Sequence, residues 1–265
     1  MIGKKFLSSF LINETFSGEN ESNEEYDYFF DLGCLKQDGF SEISYKLSSK
    51  NCANLIDIID NHYLTKSFNY EACDVRLWSD GSINSPKIIS DLMQDENIKV
   101  IATRLLKTEM FVSLALLNKV YPNGKNKGSG GGWHRDGFRD GLKIIFYLNT
   151  VSLNDGPLAI INNSHQRSHM LDLFYNHSIS PFTGNNRSKF FDEKLDYLVK
   201  SQKINKSNLT TELPGKGFIF NTRCLHRGLP MINKFSHRYA LTLYLEPVNN
   251  PIVKKRRIKN NKINL

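Results

Sequence analysis

Residues 128–149 read GSGGGWHRDGFRDGLKIIFYLN, and this stretch contains the features that decide the fold. A glycine-rich loop leads into Trp133-His134-Arg135-Asp136, and residues 142–150 then have the β-branched and aromatic composition of a strand. Residues two apart in an extended chain project to the same face, so His134 and Asp136 can offer one metal ion a nitrogen and a carboxylate oxygen. Alone, the pair is a weak indication, because such spacings arise by chance in ordinary compositions.

The chain places helices before this stretch and further strands around it. Apolar periodicity predicts helices over 49–62 and 97–107, and a third that ends near Met93, with Ser85 as N-cap and Pro86 in its first position. Helices that precede antiparallel strands are typical of an α+β fold with a mainly β core, as a sandwich or barrel. Strands are predicted over 111–121, 142–150, 157–161, 217–221 and 238–246.

A long connection, residues 165–213, interrupts the predicted strands, and one helix is predicted inside it over 188–200. Long excursions from a rigid β core often cover a substrate, so we expect this insert and the glycine-rich loop to close over the site. Plain surface loops are the alternative. Since the sequence contains no internal repeat and no linker rich in proline and serine, we predict one domain over 32–250.

Most of the formal net charge of +8 lies in the last fifteen residues. Residues 251–265 contain six lysines and arginines and no acidic residue, whereas residues 1–31 are rich in aspartate and glutamate. We expect both ends to be solvated and flexible, one as an acidic segment and the other as a basic tail. The alternative is a tail that docks on nucleic acid, anionic lipid or a protein partner.

The composition excludes several classes of protein. Hydrophobic residues at 40% and charged residues at 23% exclude wholesale disorder, collagen-like and coiled-coil chains. No apolar run approaches the roughly 18 residues of a membrane span. The first twelve residues imitate a signal peptide, but their apolar part is short and lacks a small-residue cleavage site. Since the four cysteines form no CxxC pair, we predict reduced thiols and a cytoplasmic protein.

A second histidine lies about ninety residues after the first, in Cys224-Leu225-His226-Arg227-Gly228. Two histidines and one carboxylate on a β scaffold form the facial triad of non-haem Fe(II) oxygenases, which leaves three metal positions open. His134, Asp136 and His226 are therefore predicted as catalytic metal ligands. We expect His165 to stabilise a turn rather than to act as a fourth ligand.

Several short motifs follow one another between Leu35 and Tyr244, and together they are more specific than any one of them. They are Asp38-Gly39-Phe40, Trp133-His134-Arg135-Asp136-Gly137, Phe146-Tyr147-Leu148-Asn149, Asp155-Gly156-Pro157-Leu158, Asn163-Ser164-His165 and His226-Arg227-Gly228, followed by Arg238. In this order the chain resembles the phytanoyl-CoA dioxygenase-like branch of the Fe(II)/2-oxoglutarate-dependent oxygenases. It departs at Asn163, because the family has Pro-Gly-Ser-His where this chain has Asn162-Asn163-Ser164-His165.

The resemblance implies a fold and two further site residues. The fold would be a double-stranded β-helix, a cupin-like jelly roll, with the N-terminal helices packed on one face. Arg238 would bind the far carboxylate of 2-oxoglutarate, and a guanidinium matches a carboxylate with two parallel hydrogen bonds. Asn118, on the strand that precedes the motif with His134 and Asp136, is the expected partner of the near carboxylate. His237, next to Arg238, is expected to be structural.

The resemblance also implies the reaction. With Fe(II), 2-oxoglutarate and O2, the protein would hydroxylate or otherwise oxidise an unactivated C–H bond of a small metabolite, with release of succinate and carbon dioxide. Halogenating relatives replace the carboxylate ligand with glycine or alanine, so the intact Asp136 favours hydroxylation. Two other classes stay open: an oxygenase that acts on nucleic acid or protein through the basic tail, which the tail's lack of aromatic residues disfavours, and a catalytically silent jelly-roll binding protein.

Overall fold

The protein is described by a computed structural model over residues 30–65, 74–79, 86–122, 132–137, 141–179 and 192–248. Helices dominate the first part of this range and antiparallel strands the second, so the prediction of an α+β fold is confirmed. The helices are α1 (Leu32–Asp38), α2 (Ser49–Thr65), α3 (Lys87–Gln94), α4 (Glu96–Leu106), α5 (Arg167–Tyr175) and α6 (Asp192–Lys200). The strands are β1 (Phe40–Ile43), β2 (Asp74–Ser79), β3 (Met110–Val120), β4 (Leu142–Tyr147), β5 (Leu158–Ile161), β6 (Lys206–Leu209), β7 (Gly217–Asn221), β8 (His226–Gly228) and β9 (Arg238–Pro247).

Two antiparallel sheets form the two walls of a jelly roll. The larger has the order β1-β7-β4-β9-β3-β2, and the smaller has the order β6-β5-β8. A backbone bridge between His134 and His226 extends the smaller sheet beyond β8. Apart from β2 and β3, neighbouring strands of the larger sheet are distant in sequence. For example, β4 lies between β7 and β9, which is the interleaved order of a double-stranded β-helix.

The larger sheet buries both of its faces. Its outer face packs against the N-terminal helices, because Leu241 and Leu243 of β9 share one apolar cluster with Leu55 of α2 and Leu92 of α3. The inner face packs against the smaller sheet through Ile145, Tyr147, Phe218, Phe220, Leu158, Ile160 and Leu209. The predicted position of the helices on one side of the β core is therefore confirmed.

The predicted N-terminal elements agree with the structure to within a few residues. Helix α2 begins at Ser49 as expected and continues to Thr65, and α4 covers the helix predicted over 97–107. The start of α3 needs a correction of one residue. Pro86 has a ψ of 135°, which is extended rather than helical, so Pro86 is the N-cap and Lys87 is the first helical residue.

The predicted insert over 165–213 has more regular structure than one helix. It contains α5 as well as α6, and the segment 188–191, predicted as the start of α6, lies outside the described residues. Its last part is β6, which pairs with β5 in the smaller sheet. The part of the insert that forms β6 therefore belongs to the wall of the jelly roll and not to a lid, because β6 is the edge strand of the smaller sheet.

Helix α1 was not expected, and it depends on local capping. Asp31 accepts a hydrogen bond from the amide of Cys34 at 2.9 Å, and Gly39 ends the helix with a φ of 86°. A Cβ at Gly39 would lie 2.3 Å from the sulfur of Cys224 and 2.5 Å from Nδ1 of His165. Glycine is required there both for the left-handed backbone and for the close approach.

The acidic segment 1–31, apart from Phe30 and Asp31, and the basic tail 251–265 lie outside the described residues. Among the helices that the structure describes, none combines the length and the apolar character needed to cross a membrane.

Candidate metal centre

The two predicted histidine ligands meet across a backbone bridge. The amide of His134 donates to the carbonyl of His226 at 3.0 Å, and the amide of His226 donates back at 2.9 Å. This pairing places the two imidazole rings 4.4 Å apart between their centres. Residues 133–136 are not a continuous strand, since His134 takes part in an isolated bridge and Asp136 lies in a bend. The bridge brings the two motifs together, and the amide of Asp136, which donates to the carbonyl of Thr222 at 3.2 Å, adds a second backbone contact.

The carboxylate of Asp136 completes the group. Its Oδ2 lies 3.4 Å from Nε2 of His226, and its Oδ1 lies 3.9 Å from Nε2 of His134. One ligand atom from each of the three residues lies within 4.8 Å of the other two. The side chain of His226 is 5% exposed and that of Asp136 is 27% exposed, so the group opens on the side of the carboxylate. Three donors gathered at one side leave the opposite side free for other ligands.

The backbone fixes the orientation and the tautomer of both rings. Nδ1 of His134 lies 2.9 Å from the carbonyl oxygen of Gly132, and Nδ1 of His226 lies 2.9 Å from that of Cys224. A carbonyl can only accept, so each Nδ1 carries the hydrogen and each Nε2 keeps its lone pair. Metal-binding histidines have this arrangement, with the second ring nitrogen bound to a carbonyl or carboxylate. The residues therefore fit a metal ion.

Electrostatics hold the group in the protonation states that a cation requires. Burial, together with the nearby His134 and Lys143, lowers the pKa of His226 to about 3 against the opposing effect of Asp136. Burial acts to raise the pKa of Asp136, but Lys143 and the two histidines outweigh it and hold that pKa well below its usual range. At neutral pH, His226 is a neutral imidazole and Asp136 is a carboxylate.

Lys143 is a member of this site that the sequence analysis missed. Its Nζ lies 2.6 Å from Oδ2 of Asp136 and 4.3 Å from the ring centre of Tyr244. Burial acts to lower the pKa of Lys143, but the carboxylate of Asp136 raises it overall, so the side chain is an ammonium. A signal was available, because Lys143 is the one charged residue in the strand LKIIFY, whose residues are all buried. A buried charge in such a strand calls for a partner.

Arg238 and Asn118 also face the interior of the barrel. Arg238 is buried at the start of β9, opposite Val120, and donates from Nη1 to the carbonyl of Gly156. Asn118 is buried on β3 opposite Ala240, a member of the inner-face cluster. Directly opposite residues share a face, so Asn118 and Ala240 point the same way. The roles of Arg238 and Asn118 toward 2-oxoglutarate stay predictions.

The turn Asn163-Ser164-His165 holds the chain before His226. The hydroxyl of Ser164 donates to the carbonyl of Ile161 at 2.6 Å and accepts from the amide of Leu225 at 2.8 Å. Nε2 of His165 lies 3.1 Å from the carbonyl oxygen of Lys36, which ties the turn to α1. His165 is absent from the ligand group that the described residues form, in agreement with its expected role in the turn.

No protein-family model matches the chain, and no curated protein sequence matches it. Solved structures do share its fold. The epimerase SnoN, in complex with Fe3+, alpha ketoglutarate and nogalamycin RO, is 11% identical with a TM-score of 0.62, covering 88% of this chain and 90% of SnoN. EctD from S. alaskensis, with 2-oxoglutarate and 5-hydroxyectoine, is 17% identical with a TM-score of 0.58, covering 90% and 82%. The non-heme alpha ketoglutarate dependent carbocyclase SnoK from nogalamycin biosynthesis is 13% identical with a TM-score of 0.52, covering 85% and 84%.

These likenesses show that the chain has the double-stranded β-helix fold of those structures. The predicted fold is confirmed along almost the whole chain, since the matches cover 85–90% of it. At 10–20% identity a shared fold does not carry a shared reaction, so the function has to be argued from the site.

Proposed function

We propose that the protein is an Fe(II)- and 2-oxoglutarate-dependent oxygenase that hydroxylates a small molecule. The observation that carries this proposal is the convergence of His134, Asp136 and His226, with one ligand atom of each residue within 4.8 Å of those of the other two. Nitrogen and oxygen donors on one side of the metal are the facial triad of such iron sites. SnoN, which has the same fold, is seen with Fe3+ and alpha ketoglutarate.

Each residue of the proposed site has a separate task. The two imidazoles and the Asp136 carboxylate would hold iron, and the three positions left open would take 2-oxoglutarate and O2. Arg238 would anchor the far carboxylate of 2-oxoglutarate from the inner wall, and Asn118 would donate to the near carboxylate. When bound, iron and 2-oxoglutarate supply the oxidising power, while the chain supplies orientation and exclusion of water.

The outcome of the reaction is a finer point of the same proposal. SnoN is described as an epimerase and SnoK as a carbocyclase, so this fold supports outcomes other than hydroxylation. Asp136 keeps the carboxylate, which leaves no iron position for a halide and disfavours halogenation. Among the other outcomes we choose hydroxylation, which the mass of the product distinguishes from epimerisation and cyclisation. The placement in the phytanoyl-CoA dioxygenase-like branch and in the cytoplasm belongs to the same proposal.

The test is turnover by the reconstituted full-length chain. After anaerobic loading with Fe(II), 2-oxoglutarate and air are added, and succinate is measured with and without panels of amino acids, acyl thioesters and sugars. We expect one equivalent of iron and succinate formation that a substrate of one panel stimulates. The expected product gains one oxygen atom in mass. His226→Ala should lose both iron and succinate, while His177→Ala, which removes a histidine paired with Asp172, should keep both.

Two results would overturn the proposal at different levels. A wild-type chain that binds no iron would favour a silent binding protein, while stimulated succinate with an unchanged product mass would exclude hydroxylation.

The basic tail is tested separately with a chain that ends at Asn250. We expect its turnover of a small substrate to be unchanged, with little salt dependence. A large loss of substrate affinity that is greatest at low salt would point instead to an anionic polymer.

A further inference from the structure

Helix α6 contacts the backbone that leads into the first histidine. Oδ1 of Asp192, at the start of α6, accepts the amide of Trp133 at 2.6 Å. The same carboxylate fills the space above Gly132, where an added Cβ would lie 2.1 Å from Oδ2 of Asp192. Gly132 has a φ of 114°, a backbone conformation that other residues rarely adopt. Glycine is therefore needed at position 132 for the carboxylate to reach the chain.

A second carboxylate of α6 connects the residues beside both histidines. Oδ1 of Asp196 accepts the indole Nε1–H of Trp133 at 2.9 Å, and its Oδ2 lies 3.2 Å from Nη1 of Arg227. Trp133 precedes His134 and Arg227 follows His226, and the guanidinium of Arg227 lies 5.6 Å from the centre of the Trp133 ring. Asp196 therefore bridges the two segments that supply nitrogen ligands.

These contacts reach the ligands in one further step. The carbonyl of Gly132 belongs to the same peptide group as the Trp133 amide that Asp192 accepts. This carbonyl accepts from Nδ1 of His134 at 2.9 Å. Trp133, Leu225 and Leu195 of α6 belong to one buried cluster, so the helix is also packed against both segments. Asp192 and Glu193 lie in the first turn of α6, but only Asp192 is seen to bond to the metal-site backbone.

We propose that Asp192 and Asp196 are positioning residues that hold His134 and His226 at their metal-binding separation, so that docking of α6 and occupation of the metal site are coupled. This inference rests on the proposed metal site. It assigns helix α6 of the insert to the metal centre itself. In metal sites, groups that orient a ligand through a second hydrogen bond typically contribute 10–100-fold in metal affinity. By linkage, a metal that needs these contacts must also stabilise the docked helix.

The experiment measures Co(II) binding by the full chain, because Co(II) needs neither 2-oxoglutarate nor turnover and its visible absorption reports ligand geometry. Asp192→Asn and Asp196→Asn should each lower Co(II) affinity by 10–100-fold and change the absorption spectrum of the bound form. Asp196→Glu should recover part of the affinity, because the carboxylate is kept. Glu193→Gln is the matched control, since it removes a neighbouring charge from the same first turn and should leave affinity and spectrum unchanged.

Helix coupling is read separately by hydrogen exchange. Amides of residues 194–200 should exchange more slowly in the wild-type chain with Co(II) than without it, and this difference should shrink in Asp196→Asn. If Asp196→Asn does not fold, Trp133→Phe takes its place, because it keeps an aromatic ring in the cluster but removes the Nε1–H that Asp196 accepts. If Asp192→Asn does not fold, the Asp196 and Trp133 variants carry the test. Trp133→Phe should then show the reduced affinity and the altered spectrum.

Two failures are distinguishable. A wild-type chain that binds no Co(II) overturns the metal site and this inference together. A wild-type chain that binds Co(II), with aspartate variants or Trp133→Phe within twofold of Glu193→Gln and spectrally unchanged, overturns the inference alone.

Discussion

The two faces of the larger sheet use the same strands for different purposes. On the outer face, Ile144 of β4 and Leu241 and Leu243 of β9 lie in one apolar cluster with the helices. On the inner face, the alternating positions of those strands include Lys143, Thr242 and Arg238, all buried. Side chains alternate strictly along a strand, so one residue of shift separates a position in the core from a position in the site.

The outer face of the larger sheet therefore contributes mainly to stability, and the polar residues of the inner face contribute mainly to the candidate site. An apolar side chain on the outer face gains free energy from burial, whereas a buried charge costs free energy unless it finds a partner. Lys143 has Asp136 as its partner, and Arg238 has the carbonyl of Gly156. We therefore expect substitution of the polar inner-face residues to act mainly on ligand binding, and substitution of outer-face residues to act mainly on stability.

The largest effect is expected where a metal ligand is removed. His226→Ala takes away one of three protein donors and should abolish stoichiometric Fe(II) or Co(II) binding in a folded chain, and His134→Ala should do the same. Metal titration with circular dichroism checks both statements. Tight metal retained in both variants would break the assignment of the site, and with it the contrast between the faces.

The next effect is on stability and belongs to the outer face. Leu243→Ala removes a fully buried side chain from the helix-packed cluster and should lower the free energy of unfolding by about 2–5 kcal/mol. Metal affinity of the folded fraction should stay within twofold, as measured by Co(II) titration beside urea denaturation. Leu153→Ala, at a leucine that is 57% exposed, is the matched control and should change neither quantity. A large loss of affinity in Leu243→Ala would contradict the separation.

A third substitution sharpens the comparison at the far end of the inner face. Arg238→Ala should raise the dissociation constant of 2-oxoglutarate about 30- to 1,000-fold, on the order of 2–4 kcal/mol, because a charge-assisted contact with two hydrogen bonds is lost. Iron binding should survive, and Arg238→Lys should recover only part, since the planar guanidinium is gone. Titration of iron-loaded protein with 2-oxoglutarate measures this, with Arg167→Ala on α5 as control. An unchanged affinity in Arg238→Ala would place the anchor elsewhere.

The sequence predicted the scaffold well because periodicity and composition report which face of an element is buried. The pattern of β9 indicated the strand that carries Arg238, and the structure confirms it to within one residue. Short elements were missed where capping rather than apolar periodicity decides, as in α1, which depends on Asp31 and Gly39. Strand β6 was taken into the insert because its sequence KSNL, three half-buried residues followed by the buried Leu209, has no apolar alternation.

The three residues of the candidate metal site were predictable as a group, because their residue types and order are specific, but the side chains that contact them were not. The contact between Asp196 and Trp133 joins residues 63 positions apart, through a helix that packs onto the site only in the fold. The contact between Lys143 and Asp136 is close in sequence and was still missed, because a lysine in a strand is normally assigned to an exposed face. Partner choice across a fold needs coordinates that pattern alone does not supply.

The smallest expected effect concerns the pairing of Lys143 with Asp136. In the wild-type chain, Lys143 and the two histidines hold the pKa of Asp136 low against burial, so protons do not compete with a metal for this carboxylate above about pH 5. In Lys143→Met the main favourable charge is gone while burial remains, so the pKa of Asp136 rises. The pH at which half of the Co(II) is released should therefore move upward. At pH 8 Asp136 is a carboxylate in both chains, so the affinity for Co(II) should differ by less than about tenfold. The change should be an increase, because the lost ammonium no longer repels the metal.

Co(II) titrations between pH 8 and pH 5 measure this shift, with Lys216→Met as the matched control. Lys216 pairs with Glu42 at 2.8 Å and is 26% exposed. Its loss therefore removes an ion pair with a similar N–O distance, but one that does not involve the proposed metal ligands. Its pH profile should follow the wild type. If Lys143→Met binds Co(II) more tightly than the wild type at every pH, the ammonium only repels the cation and does not protect the carboxylate. Lys143 would then lower the metal affinity of the site and would serve to bind another ligand. The contrast with the apolar outer face would become sharper.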